Sequence, residues 1–339
     1  MKAALFEKPH ALSVVHRSVR ALLPGEVLIR VHACGVCGTD VHIVRGESRS
    51  TPPVVLGHEF AGIVEDVGSA VKRFTAGQAV AVDPNISCGT CYFCRRGEVH
   101  LCSNLRALGV DIDGGMAELC IVPEAQLYLL PEGFPAAASA FIEPVSCVLH
   151  GIDRAGIMVG DTVVILGGGT IGLMMMQLCR AAGAAVTIIV EPLEQKRAIA
   201  QSLSATHVLD PNAVNVQDAV RDITHVGADV VIDCAGTIGT AQSSMRLARR
   251  GGRVELFGVC PFGQTFPFEP NLVYFNELTI VGSYVNPLTF DRAITALASG
   301  IIRVDTFPIH RFPLDDVLEA LRYQQEGVTI KSIIEPQRH

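Results

Sequence analysis

The sequence predicts an α/β protein of two domains: a mostly β first half and a doubly wound parallel sheet in the second. Three observations predict it. Short alternating or apolar runs bounded by Gly and Pro fill residues 1–100. After about residue 150, nearly continuous apolar strands alternate with helix-period segments. A length of 339 residues suits two domains better than one.

In the first half, VLIRVHACGV (27–36), FAGIVEDVG (60–68) and AVAVDP (79–84) read as short strands, the last stopped by Pro84. In the second half, DTVVILGGG (161–169) is a β-branched strand ending in glycines, and TIGLMMMQLCRAAG (170–183) is a helix stopping at Gly183. AVTIIVE (185–191) is again a buried strand. Helices at 193–204 and near 213–224 flank HVLD (207–210), and ADVVIDCAG (228–236), GRVELFGV (252–259) and LTIVGSYV (278–285) supply further strands. The tail holds a helix at 290–299, the segment PIHRFPLDDVLEALRYQQ and a closing strand KSIIEP.

Composition narrows the function. Hydrophobic residues make up 49% and charged residues 18%, so a large core is available and disorder is excluded. A net charge of -7 argues against binding a phosphate backbone, and aromatics at 6% without Trp argue against a base-stacking surface. Lys2, Glu7 and Lys8 leave no room for a secretory apolar segment. The longest uncharged stretch, Thr162 to Cys179, is 18 residues long, but Gly167, Gly168, Gly169 and Gly172 make it a buried strand, turn and helix rather than a membrane span. Eleven cysteines, an odd number, fit a disulfide framework poorly. A cytoplasmic protein with no membrane and no nucleic-acid partner is expected.

Three constellations carry chemistry. Cys88, Cys91, Cys94 and Cys102 space as C-x2-C-x2-C-x7-C. Thiolates at such spacing converge on one tetrahedral ion at about 2.3 Å, and four of them close the shell, so the site is structural. Iron–sulfur is the competing occupant. Second, Cys37 in GVCGTDVH, His58 and Glu59 in GHEF, and Glu143 in IEPVSC offer a thiolate, an imidazole and carboxylates. A catalytic zinc needs three such ligands and one open position. Cys34, Cys147 and His150 compete for the same role, Cys147 most strongly because it stands one helical turn from Glu143. Third, Gly167-Gly168-Gly169-Thr170-Ile171-Gly172 fits G-x-G-x-x-G between a strand and a helix, the context that makes the motif a dinucleotide turn. Glu191 then follows the second strand, where a carboxylate bonds the adenosine ribose and repels a 2′-phosphate, favouring NAD over NADP. Lys196 and Arg197 nearby weaken that preference.

Taken in this order, GVCGTDVH, GHEFAGIVEDVG, CGTCYFC with Cys102, GGMAE, GGGTIG and KSIIEP resemble the zinc-dependent medium-chain dehydrogenase/reductase family along essentially the whole chain. IEPVSCVLHG is similar to the polyol (sorbitol-type) branch, and CGTDVHI to threonine dehydrogenases. The chain departs from the threonine branch at Asn85, where that branch tends to carry His, and from the polyol branch at Val285–Asn286, where Arg–Tyr is common.

The resemblance implies a GroES-like catalytic domain of residues 1–145 and 290–339, a structural zinc lobe at 85–105, and a Rossmann domain of residues 146–289. It implies two zinc ions per chain. Cys37 and His58 are implied as catalytic zinc ligands, Glu59 as a ligand or a residue just behind it, and Glu143 as a ligand or the holder of zinc's water. Thr39 is implied as acceptor of the substrate proton and His42 as its relay to solvent. The expected reaction passes hydride between a secondary alcohol of polyol, cyclitol or sugar-alcohol type and NAD. Arg45 and Asn286 are candidates for holding the substrate's other polar groups, and Arg45 could instead hold a phosphate. A homodimer or homotetramer is expected. Alternatives are a threonine dehydrogenase-like enzyme, an NADPH-dependent carbonyl reductase and a non-catalytic zinc-lobe binding protein.

Overall fold

A computed structural model describes residues 1–338. The chain forms two compact units: Met1–Pro144 with Asn286–Ala298 and the chain from Phe307 on, and Val145–Val285 with Ser299–Thr306. The tail expected whole in the first domain, residues 290–339, therefore lends Ser299–Thr306 to the second unit. Within that unit Gln177, a buried amide, accepts from Arg303 N at 2.8 Å and donates to Arg303 O at 3.3 Å, and Ile302 and Val304 are buried.

The first unit is built around the strand Glu26–Gly35. Val27, Ile29, Val31 and Ala33 alternate inward and are buried, while Arg30 and His32 point to water. Glu59–Val67 pairs antiparallel along its whole length, and Leu119–Pro123 pairs with its first half. At the far end, the closing strand Lys331–Ile334 lies antiparallel, with Ile333 opposite Gly35 and Ile334 opposite Cys34. The expected strand KSIIEP thus returns to the first unit. A core of Val27, Ile29, Phe60, Val64, Val80 and Leu127 seals this sheet.

The second unit is a six-stranded, all-parallel sheet in the order His207–Leu209, Val186–Val190, Thr162–Leu166, Ala228–Asp233, Ala248–Leu256, Thr279–Gly282. Its three central strands, Val186–Val190, Thr162–Leu166 and Ala228–Asp233, are buried runs rich in Val and Ile, as expected of strands covered on both faces. Numbered along the chain, the order is 3-2-1-4-5-6, and it reverses direction beside Thr162–Leu166. The uncharged stretch 162–179 resolves into that strand and the helix Thr170–Ala182, which ends on Gly183 at φ 116°. No helix among the described residues is long and apolar enough to cross a membrane.

Candidate functional site

The strand Glu26–Gly35 ends where the short helix Gly38–Arg45 begins. Cys37 is its N-cap, and Asp40 three residues on closes a capping box by accepting from Cys37 N at 2.9 Å. This fixes the turn that carries the thiol. His58, just before the neighbouring strand, and Glu59, its first residue, face the same point, and one donor atom from each of Cys37, His58 and Glu59 lies within 4.8 Å of the other two. His58 is 8% and Glu59 2% exposed. A thiol, an imidazole and a carboxylate are the donor chemistry of an open zinc site, so the residues present fit such an ion.

Other groups tune this point. Asp40, fully buried, brings Oδ1 to 3.5 Å from His58 Nδ1, and neither atom makes a hydrogen bond. Burial pulls the His58 pKa down, but Asp40 and Cys37 outweigh it and hold it well above the usual histidine range. Thr39 Oγ1 is 3.6 Å from Cys37 Sγ. His42 is half exposed, and its Nδ1 lies 2.7 Å from Glu47 Oε2.

Glu143 sits in the first turn of the helix Ile142–Ala155, buried, and its charge reaches Lys331. It is not in the donor triplet, and neither are Cys34, Cys147 or His150. Cys34 is completely buried, which drives its thiol pKa far up, with Asp40 and Glu59 adding to the effect. Arg45 lies exposed in the last turn of its helix. Asn286 is buried, accepts from Asn85 Nδ2 at 2.5 Å and donates to Asp83 Oδ1 at 3.4 Å. The two positions that depart from the threonine and polyol branches are therefore bonded to each other. Burial pushes the Asp83 carboxyl up to about 6 against its hydrogen bonds from Asn85 and Asn286.

The four-cysteine lobe folds around two short 3-10 turns, Cys94–Arg96 and Val99–Leu101. One sulfur from each of Cys88, Cys91, Cys94 and Cys102 lies within 4.8 Å of all the others. Backbone amides point at the sulfurs: Cys88 N and Asn104 N donate to Cys102 Sγ at 3.2 and 3.3 Å. Amides of Thr90 and Cys91 lower the Cys88 pKa to about 5, whereas burial raises Cys94 to about 11. Sulfurs that receive amide hydrogen bonds are suited to bind metal as thiolates, and four of them fill a tetrahedral shell.

In the second unit the glycine turn follows Thr162–Leu166. Gly167 adopts φ 100°, a left-handed conformation that favours glycine, and a Cβ on Gly172 would collide with the Gly167 carbonyl oxygen. Beside Gly169, the N-cap of the helix Thr170–Ala182, a Cβ would meet nothing within 4 Å, so a ligand can approach the backbone where Thr170 and Ile171 open the helix. Glu191, 5% exposed, accepts from Gly168 N at 2.8 Å and from Leu193 N at 2.9 Å. It borders a cavity of about 670 Å³ that Gly167, Lys196 and Asn215 also line. Arg197 is committed to its surroundings: it donates to Glu191 O at 2.8 Å and pairs with Asp210 at 3.0 Å.

Comparison with known proteins agrees with this architecture. Residues 23–132 match the alcohol dehydrogenase GroES-like domain, and residues 170–299 match the zinc-binding dehydrogenase family. L-threonine 3-dehydrogenase of Pyrococcus horikoshii is 34% identical over 98% of both chains. The chain belongs to the zinc-dependent medium-chain dehydrogenase family. D-arabinitol dehydrogenase 1 of Uromyces fabae, a polyol-type member, is 31% identical over 99% of this chain and 97% of its own. A family structure from Sinorhizobium meliloti, bound to NADP, is 42% identical over 99% of both chains with a TM-score of 0.96. This dehydrogenase is thus an α/β oxidoreductase with a GroES-like domain and a Rossmann sheet.

Sequence reading missed two groups at the donor triplet, Asp40 and Lys331. Asp40 was detectable, since it stands at capping-box distance from Cys37. Lys331 was noted only as part of a terminal motif; its one signal is a cation opening an apolar strand.

Proposed function

We propose that the protein oxidises a secondary alcohol bearing a neighbouring hydroxyl, a polyol, cyclitol or sugar alcohol, with NAD as hydride acceptor. The convergence of Cys37, His58 and Glu59 beside the Thr39 hydroxyl carries this reading. Cys37, His58 and Glu59 would hold one zinc, and Cys88, Cys91, Cys94 and Cys102 a second. Zinc bound at the first set supplies Lewis-acid polarisation of the alcohol oxygen. The chain's own residues handle the proton. Thr39 accepts it, and His42, three residues on and so on the same helix face, passes it to water. Glu47 beside His42 Nδ1 orients the ring for that transfer. Glu143, buried and outside the donor triplet, is the second carboxylate and would hold a water at that ion.

NAD preference rests on Glu191. Its carboxylate is fixed by two backbone amides at the rim of the cavity, where a 2′-phosphate would meet negative charge. Arg197 is already engaged by backbone carbonyls and Asp210, and Arg246, which lines the cavity, pairs with Glu269 at 2.9 Å. The NADP in the Sinorhizobium meliloti relative favours a second reading, in which Lys196 receives the phosphate and the enzyme works as an NADPH-dependent reductase. Titration with NADH and NADPH separates the two: NADH should bind at least tenfold more tightly, and tighter NADPH binding would overturn the NAD assignment. The substrate class is tested with sugar alcohols, cyclitols, their phosphates and small diols, followed by reduced-cofactor absorbance. Turnover of L-threonine alone would replace the polyol reading. Eleven cysteines without a disulfide support a reducing, cytoplasmic setting. The outer strand Thr279–Gly282 supports self-association through its open edge, giving a homodimer or homotetramer.

A further inference from the structure

Behind the donor triplet lies a cation that the reaction outlined above does not use. Lys331 opens the closing strand and is 3% exposed. Removing an ammonium from water costs several kcal/mol unless it is paired. Its Nζ pairs with Oε2 of Glu59, which is 2% exposed.

Three strands far apart in sequence build this pair. Gly35 stands opposite Glu59 on one side and opposite Ile333 on the other, so Lys331 and Glu59 meet over Gly35. The missing side chain is essential there. A Cβ on Gly35 would collide with Glu59 Oε2, stand 2.8 Å from Lys331 Cε and 3.1 Å from the Ala140 carbonyl oxygen. The fold thus holds a glycine at the one place where space is needed for a buried ion pair touching the donor triplet.

The consequence concerns coordination number. A carboxylate can offer a metal one oxygen or two. Two from Glu59, with Cys37, His58 and a water or alcohol, would make five places; one keeps the site at four. We propose that Lys331 is a positioning residue that reserves Oε2 of Glu59, so that Glu59 would reach the metal through its other oxygen alone and the site would stay four-coordinate with the alcohol bound. This inference rests on the reading of Cys37, His58 and Glu59 as metal ligands.

The test uses the full-length enzyme with zinc in the four-cysteine lobe and cobalt(II) at the triplet. Visible cobalt bands are intense at four-coordinate sites and weak at higher coordination. Lys331→Met keeps the length of the side chain and removes its charge. It should retain two metals per chain, weaken the cobalt bands at least twofold and slow release of that ion. Gly35→Ala, which displaces the pair without changing any charge, should weaken the bands in the same direction and serves if the methionine variant does not fold. Wild-type bands and release rates in both variants would overturn the role of Lys331, as would loss of the cobalt ion from Lys331→Met. A wild-type enzyme that takes up no cobalt beyond the lobe would instead remove the triplet as a metal site, and the proposal with it.

Discussion

Glu255 offers a test of the second unit that is independent of any metal. It stands in the strand Ala248–Leu256 with none of its surface exposed, and neither carboxyl oxygen makes a hydrogen bond. Burial pushes its pKa from 4.5 up to about 8, with only Arg154 pulling the other way. The sign follows from proton counts. Below pH 4.5 the carboxyl is protonated whether the chain is folded or not, and burial carries no charge penalty. Between 4.5 and about 8 the unfolded chain has lost the proton and the folded chain keeps it, so stability falls as pH rises. At ~1.4 kcal/mol per pH unit the whole window amounts to about 5 kcal/mol as an upper bound. Glu255→Gln removes the titration. Its stability relative to the wild type should therefore rise by up to about 3 kcal/mol between pH 5 and pH 8. Urea unfolding followed by circular dichroism at each pH measures it. A difference between the two proteins that stays constant across that window would refute the buried neutral acid.

Three further outcomes are expected. Cys37→Ser should reduce turnover to background while the chain keeps one metal and wild-type NADH affinity; full activity in that variant would remove the catalytic assignment. Gly172→Ala should lower NADH affinity at least tenfold, a cost of ~1.4 kcal/mol or more, because the helix must move off the Gly167 carbonyl oxygen; unaltered binding in a titration would show that the turn does not carry the cofactor. Thr279→Lys, a charge on the exposed edge strand, should reduce the sedimenting mass to that of one 36.2 kDa chain; an unchanged multiple would place the contact elsewhere.

Periodicity and punctuation made most of the second unit legible. Its central strands are short apolar runs, and Gly183 ends the first Rossmann helix where the pattern does. The helix Gly38–Arg45 was hidden, because its stabilising features are a cysteine cap and an aspartate rather than an apolar stripe. The placing of Ser299–Thr306 in the second unit was hidden for a related reason: its contacts include a buried glutamine meeting a backbone position 126 residues away, and no local pattern records such a pairing. Asn286 was visible as an unusual residue, but its partners Asp83 and Asn85 were not.

The donor sets and the groups that govern them differ in legibility for one physical reason. Metal ligands on a tight turn must be close in sequence, so Cys88, Cys91 and Cys94 announce themselves by spacing. Charges that adjust a site need only be close in space, and a sheet supplies that closeness through register. Gly35, Glu59 and Lys331 come from three strands, and a one-residue slip in either pairing would turn Glu59 or Lys331 to the opposite face. The antiparallel register that buries Val27, Ile29 and Val31 is therefore the same feature that brings the ammonium to the carboxylate. Core packing and site electrostatics are set by one pairing here, which is why a glycine as far inside as Gly35 can matter to the chemistry without touching a substrate.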